Sequence, residues 1–309
     1  MHVAVYLAAV PPKAKNKFKR DMLLAFGQGV KAAGDKVTFV DQMATVDADL
    51  AVIQGWVGMK SGPHLALRQQ VIDRQRNQGR HVMVIDSNLY GFLAPEDFNR
   101  YLRYSLDGIF PTTGYYFDNK IDHSVWTAIA DSYQFSPRPW RERGKRILIC
   151  LQRSGGWSMD GQDVLAWLGS TVQQIKKHSD KPMVIRGHPG SQNILPQVIA
   201  QHPDIRVSVE SDLRRDLESA WATVTYNSSP GVASVLWGIP AFVTDPCPQR
   251  SQAWPTVNTD LSKIMTPEMP DREEFYHRLA QCHWNTAELP TGQAWRFLKD
   301  RLPVGHRTV

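Results

Sequence analysis

Between Ile147 and Thr244, short apolar runs alternate with stretches of helical spacing. A parallel, doubly wound α/β sheet accommodates that order, and few other folds do. The run ILICL at 147–151 predicts a buried strand, and Gln152-Arg153-Ser154-Gly155-Gly156 the loop that follows. From Asp163 to His178, Val164, Leu168, Val172 and Ile175 fall on one helical face. Strands are then predicted at 182–186, 205–209, 222–226 and 241–244, separated by helices at 194–201, 213–220 and 231–237.

The first half follows the same grammar. Strands are predicted at 2–8, 36–40, 50–54, 81–86 and 108–111, and helices at 18–33 and 65–78. Ser136-Pro137-Arg138-Pro139-Trp140-Arg141-Glu142-Arg143-Gly144 interrupts both periodicities, with two prolines, a glycine and charge, and is the expected linker. The chain of 309 residues suits two domains of about 150 each. The expected fold is two facing Rossmann-like α/β domains: residues 1–142, residues 143–290, and a terminal amphipathic helix within 291–309 that packs back on the first domain. Trp295, Phe297 and Leu298 would dock that helix.

Composition excludes several classes. Hydrophobic residues are 42% and charged residues 21%, the balance of an ordinary globular chain. Mean hydropathy is -0.36, and no apolar run approaches the ~18 residues of a membrane span. The start, Met1-His2-Val3-Ala4-Val5-Tyr6, lacks the pattern of a signal peptide. Cys150, Cys247 and Cys282 lie far apart with no C-x-x-C, which suits a reducing cytoplasm and argues against a cysteine zinc site. A cytoplasmic location is therefore expected.

The formal net charge is +6 and the pI about 9.2. Residues 1–140 hold 16 Lys+Arg against 13 Asp+Glu, and five of the 16 are Lys13, Lys15, Lys17, Lys19 and Arg20. A basic run this local, after the first strand, points to an anionic partner such as a chain of phosphates. A solvated helix start is the other reading, although cations there oppose the helix dipole.

The dinucleotide fingerprint, the P-loop, H-E-x-x-H and G-x-S-x-G are all absent. Asp47-Ala48-Asp49 has the D-x-D form of a metal motif but precedes its strand, so a polar turn is expected and no metal site.

In an open α/β sheet, ligands gather at the carboxyl ends of the strands, and three loops of the second half end there. In the first, Arg153 can meet a phosphate, Gly155 and Gly156 allow close backbone approach, and Gln152 is a further donor-binding candidate; a tight turn is the equal alternative. The second, Arg186-Gly187-His188-Pro189-Gly190, joins a fixed charge to a hydrogen-bond donor on a rigid loop. The third, Asn227-Ser228-Ser229-Pro230-Gly231, places two hydroxyls at a helix start. Capping histidine and helix capping are the plain readings of the last two.

The pattern R-G-H-P followed by N-S-S-P-G-V-A-S-x-x-x-G-I-P-A-F resembles the nucleotide-sugar domain of GT-B glycosyltransferases, over roughly residues 145–285. It is most similar to the subset with H-P and Ser-Ser motifs, which includes bacterial sialyl- and Kdo-transferases. The resemblance implies that His188, Ser228 and Ser229 hold the phosphate of a UDP- or CMP-sugar, without a metal. The phrases L-Q-R-S-G-G-W-S-M and C-H-W-N are similar to glycosyltransferase-like proteins of tailed phages. The acidic-acidic-glycine motif of sialyltransferase first domains is not evident.

Glycosyl transfer to a hydroxyl needs a base. Asp86, at the end of VMVID, is the first candidate and His64 the second, with an Asx loop cap as the plain reading of Asp86. Trp56, in the loop after another strand, and Asn88, two residues beyond Asp86, are candidate acceptor contacts. The function expected is nucleotide-sugar-dependent transfer to hydroxymethylated pyrimidines in DNA, with a target base flipped out beside Trp56, by a phage-encoded enzyme acting in its host's cytoplasm. A polysaccharide sugar transferase is the alternative enzyme. A non-catalytic nucleic-acid-binding GT-B scaffold is the reading from another class.

Overall fold

The computed structural model describes residues 1–57, 62–154 and 157–303. The chain divides into two compact units, one of Met1–Gly91, Glu96–Ile129 and Tyr276–Val309, the other of Phe92–Pro95 and Ala130–Phe275.

The first unit is built on a six-stranded sheet. β1 (His2–Tyr6), β2 (Lys36–Val40), β3 (Leu50–Gln54) and β4 (His81–Asp86) are parallel; β5 (Tyr101–Leu106) and β11 (His283–Asn285) add an antiparallel edge, giving the order β11-β5-β4-β3-β1-β2. Every residue of β3 (LAVIQ) is buried, as expected of a strand covered on both faces. α1 (Lys17–Ala32) and α2 (Pro63–Asn77) pack on this sheet, α1 burying Leu23, Phe26 and Val30.

α9 (Gln293–Lys299) lies against α1, as expected for the terminal helix. Trp295 meets Phe26 edge-on at 5.9 Å, and its indole N–H donates to Asp35 at 2.7 Å. Asp35 also accepts from Lys299 and from the N-terminal ammonium, each at 2.8 Å. Burial opposes the charge of Asp35, but these three donors outweigh it and hold the carboxyl at about 2. Gly29 permits the close approach of α1 to the turn at Thr286–Thr291: a Cβ there would lie 2.0 Å from the Leu289 carbonyl oxygen.

Three expectations for this region are corrected. The first strand ends at Tyr6, and Leu7–Ala9 tightens into a 3-10 turn. Residues 108–111 form no strand and lead into a turn closed by the Thr113 and Gly114 N–H groups on the Phe110 carbonyl; the strand in this region is β5. Residues 276–290, assigned from sequence to the second domain, belong to the first unit because β11 pairs with β5.

The second unit holds an all-parallel sheet in the order β10-β9-β6-β7-β8, formed by β6 (Arg146–Cys150), β7 (Met183–Arg186), β8 (Arg206–Val207), β9 (Ala220–Thr225) and β10 (Ala241–Val243). Ile147, Ile149, Ile185, Val224 and Phe242 form its core with the buried face of α4 (Val164–His178). Asp163 caps α4 by accepting from the N–H groups of Leu165 and Ala166. α5 (Leu195–Gln201), α6 (Leu213–Leu217) and α7 (Pro230–Leu236) complete the crossovers.

The expected linker is bound to this unit. Its Arg138 and Arg141 N–H groups donate to the carbonyls of Leu236 and Gly238, and the Arg138 guanidinium lies 4.5 Å over the Trp237 ring. The division between the units falls within α3 (His123–Ser132) and α8 (Glu273–Ala280).

Candidate functional site

The loops after β6, β7 and β9 all end at the carboxyl edge of the second sheet. Those after β6 and β9 are joined there to the loop after β10 by a polar network. The Gln152 amide donates to the Ser158 hydroxyl at 2.7 Å and accepts the Asn227 N–H at 2.9 Å. The Asn227 side chain donates to the Ser158 carbonyl at 3.0 Å and to the Asp245 carboxylate at 2.6 Å. Asp245 in turn accepts from Arg250 at 2.5 Å, and the other arm of Arg250 pairs with Asp160. The Asp245 carboxylate, and then that of Asp160, hold the Arg250 guanidinium above its ordinary value. Gln152 and Asn227 are thus engaged with protein groups: they fix the loop that presents Ser228.

Ser228 differs from its neighbours. Its Oγ is buried and has no hydrogen-bond partner, which is a costly state unless a ligand or water completes it. Ser229 is exposed and makes no side-chain cap to α7. The Gly231 and Val232 N–H groups donate to the Ser228 and Ser229 carbonyls, so the helix start offers an anion its hydroxyls and not these two N–H groups. A Cβ at Gly231 would make ordinary contact with Ala253 at 3.5 Å, so this position is not a glycine-only approach.

His188 accepts the Gly190 N–H on Nδ1 at 2.9 Å. In the neutral ring that bond leaves Nε2 as the donor. Burial, and then the nearby Arg153 cation, push the His188 pKa down, so the neutral form prevails at pH 7. A Cβ built on Gly190 would lie 3.6 Å from Arg153 Nε and 3.3 Å from His188 Nδ1, so all three residues share one spot.

Arg186, expected beside them, is engaged elsewhere. Its guanidinium pairs with Asp216 at 2.6 Å and donates to the Glu210 and Ser211 carbonyls, each at 2.9 Å. Asp216 is 2% exposed, and a buried carboxylate of that kind requires a counter-charge. Arg186 therefore fixes the connection from β8 to α6. Gly155 and Gly156 lie outside the described residues.

In the first unit, the carboxyl edge carries Asp86, His64, Trp56 and two arginines that the sequence reading passed over. Asp86 accepts the Ser87 N–H at 2.7 Å, and its other oxygen meets Arg103 at 3.3 Å, directly across the β4–β5 pair. Arg103 is 3% exposed, and its Nε and NH1 have no hydrogen-bond partner. Burial opposes its charge, but the Tyr116 phenol and Asp86 more than offset that and raise its pKa. Arg68 donates to the Ala9 carbonyl at 2.8 Å and to the Trp56 carbonyl at 3.3 Å; burial lowers its pKa against the pull of Asp86.

His64 bonds the Ala8 carbonyl through Nδ1 at 2.7 Å. A carbonyl can only accept, so Nδ1 carries the proton and the neutral ring keeps a lone pair on Nε2. Trp56 is half-buried. Asn88 is buried with its amide bonded to the Phe98 carbonyl and the Tyr90 N–H, so it shapes the loop and is not an exposed acceptor contact.

The basic run divides in the same way. Lys13, Lys15, Lys17 and Lys19 are exposed, with Lys17 paired to Asp21 at 2.6 Å. Arg20 is tied to Asp41 at 2.8 Å and to the Leu7 carbonyl at 2.9 Å, so it belongs to the fold. Asp47 pairs with Arg80, and Asp49 accepts the His2 N–H, as suits a polar turn. Among the described residues no group of three or more His, Cys, Asp or Glu is placed to hold a metal ion, and no helix is long and apolar enough to cross a membrane.

No protein-family model and no curated protein matches this sequence. Solved structures do match. The chain is similar to the KpsC β-Kdo 2,7-transferase of Thermosulfurimonas dismutans, with TM-score 0.54, 12% identity, and 97% of this chain and 99% of that one covered. It is also similar to the KpsC β-Kdo 2,4-transferase of the same organism, with TM-score 0.53, 13% identity, and 91% and 98% covered. The chain has the GT-B fold. The GT-B architecture agrees with the sequence expectation of two Rossmann-like domains and a terminal helix on the first. In a GT-B chain the network through Asn227, Asp245 and Arg250 was the least legible part of the site. Only the position of Thr244-Asp245-Pro246, just after β10, pointed to it.

Proposed function

We propose that this chain is a nucleotide-sugar-dependent glycosyltransferase. The observation that carries the reading is the gathering of Arg153, neutral His188 and the unpartnered Ser228 hydroxyl at the carboxyl edge of a GT-B sheet. A donor diphosphate or monophosphate would receive a charge from Arg153, an N–H from His188 and O–H groups from Ser228 and Ser229. Positive charge at the leaving phosphate then comes from side chains, not from a metal ion. The donor is a UDP- or CMP-sugar.

The acceptor is a saccharide hydroxyl, a reading supported by the likeness to two Kdo transferases. The acceptor proton goes to a base. His64 has the free ring nitrogen for that step, and Asp86, tied to Arg103, is the carboxylate alternative. The test is mass spectrometry of products after incubation with UDP- and CMP-sugars and two acceptor sets, acidic oligosaccharides and hydroxymethylated duplex DNA. Mass gain on an oligosaccharide supports the reading. Nucleotide-sugar binding without hydrolysis or transfer to any acceptor would favour a non-catalytic scaffold.

One observation favours the second acceptor, DNA carrying hydroxymethylated pyrimidines: Lys13, Lys15, Lys17 and Lys19 are all exposed. If these lysines meet phosphates, changing Lys15, Lys17 and Lys19 to Gln should flatten the log–log salt dependence of DNA binding by about 2 to 3 units. Fluorescence anisotropy reads that slope. Shallow, parallel lines for wild type and variant would remove DNA and leave the transferase reading intact.

A further inference from the structure

A cavity of about 670 Å³ opens in the second unit at the amino edge of the sheet. The candidate donor groups lie at the other edge, roughly 16 Å away along a five-residue strand. Four lysines line the cavity. Lys145 immediately precedes β6, Lys181 nearly precedes β7, and Lys176 and Lys177 end α4 beside His178.

A helix C-terminus attracts cations, which accounts for the α4 residues. It does not account for Lys145 and Lys181, which arrive from two other segments. Local partners satisfy only part of this charge. Lys176 pairs with Asp204 at 2.6 Å. Lys181 donates to the Gly144 carbonyl at 2.8 Å and stands 5.5 Å over the Trp221 ring. Among the described residues, neither Lys145 nor Lys177 has an ion-pair partner, and Asp180 is the one acidic residue in the lining.

We infer that this cavity is a second, non-catalytic site for an acidic saccharide chain, bearing carboxylates or phosphates. The inference rests on the saccharide-acceptor reading above. The volume is that of a small-ligand pocket. Its one ring is that of His178; no Trp, Tyr or Phe of the lining offers a broad platform on which a nucleobase could stack. Ammonium groups act as point charges without the fork of a guanidinium, which suits anionic groups on a flexible chain. Pro182 and Met265 supply an apolar wall for a sugar face. Such a site would hold an acidic acceptor polymer on the enzyme between transfers.

The test is calorimetric titration of the full chain with hexagalacturonate, neutral maltohexaose, inorganic tripolyphosphate and a short duplex DNA. Wild type should bind hexagalacturonate and not maltohexaose. The double variant Lys145→Gln/Lys177→Gln, both residues being exposed, should bind it about tenfold more weakly. The inference is overturned by equal hexagalacturonate affinity in the variant, by no binding in either protein, by tripolyphosphate binding as tightly as the saccharide, or by tighter lysine-dependent binding of DNA. UDP- and CMP-sugar affinity is measured in the same proteins. Loss of the hexagalacturonate contact with no donor binding at all would refute the transferase reading and leave this site standing; intact donor binding with no hexagalacturonate contact would do the reverse.

Discussion

At the carboxyl edge of the second sheet, charge is largely absorbed by the fold and the groups left for a ligand are neutral or flexible. Arg186 is bonded to Asp216 and Arg250 to Asp245 and Asp160, while neutral His188, the Ser228 hydroxyl and Arg153 remain. At the same edge of the first sheet, Arg103 meets the Asp86 carboxylate while its own Nε and NH1 stay unpartnered, and His64 keeps a lone pair. The first arrangement suits holding phosphates by hydrogen bonds; the second suits taking a proton near an anion. Residue type alone does not separate these roles, because an arginine beside the site is a ligand contact only if the fold has not already claimed it.

The largest effect should separate two arginines of one edge. Arg186→Met strands the buried Asp216 and should cost about 3–5 kcal/mol of stability, read by urea denaturation. Arg153→Met should leave stability nearly unchanged and weaken nucleotide-sugar affinity. A stable Arg186→Met protein that has lost only donor binding would reverse the comparison.

Next in size is the base. His64→Gln should lower turnover by about 10²-fold or more with donor affinity retained. Asp86→Asn should lower turnover less, because Asp86 already meets Arg103. The opposite order, measured with saturating donor, would return the base role to Asp86.

Two histidines sharpen the same contrast through pH. His283 is fully buried, accepts the Leu89 N–H on Nε2 and bonds the Leu279 carbonyl through Nδ1, and burial pushes it down to about 3. The unfolded chain takes up that proton near 6.5, the folded one only near 3. Its contribution is therefore complete above pH 6.5 and is lost as pH falls towards 3, by up to about 1.4 kcal/mol per pH unit. His188 is also lowered and contributes to stability with the same sign, but of the two only His188 should also alter donor affinity. Denaturation midpoints and donor affinity, both followed from pH 7 to 5, distinguish the two. A midpoint independent of pH across that range would contradict the assignment of His283 as a buried neutral ring.

The residues themselves explain which parts of this were legible in the sequence. β2, β3 and β4 announced themselves as apolar runs with the boundaries observed. β5 did not, because Arg103 interrupts YLRYSL and the strand is buried nonetheless. β11 is three residues long and pairs with a partner 180 positions away, beyond any local pattern. The R-G-H-P loop was recognisable, but the partner that removes Arg186 from the site, Asp216, lies thirty residues downstream and is adjacent only in space. His64 could be proposed from sequence, whereas its free Nε2 depends on the Ala8 carbonyl.

The central claim, that the second unit holds a nucleotide sugar through groups the fold leaves unoccupied, is tested most directly by Ser228→Ala. The Ser228 hydroxyl has no partner in the protein, so its removal should leave the melting temperature unchanged or slightly raised. Calorimetric titration with UDP- and CMP-sugars should show saturable binding to wild type, weakened about tenfold in Ser228→Ala and likewise in His188→Ala. Equal donor affinity in wild type and both variants, or a Ser228→Ala protein that loses stability while keeping affinity, would contradict the account.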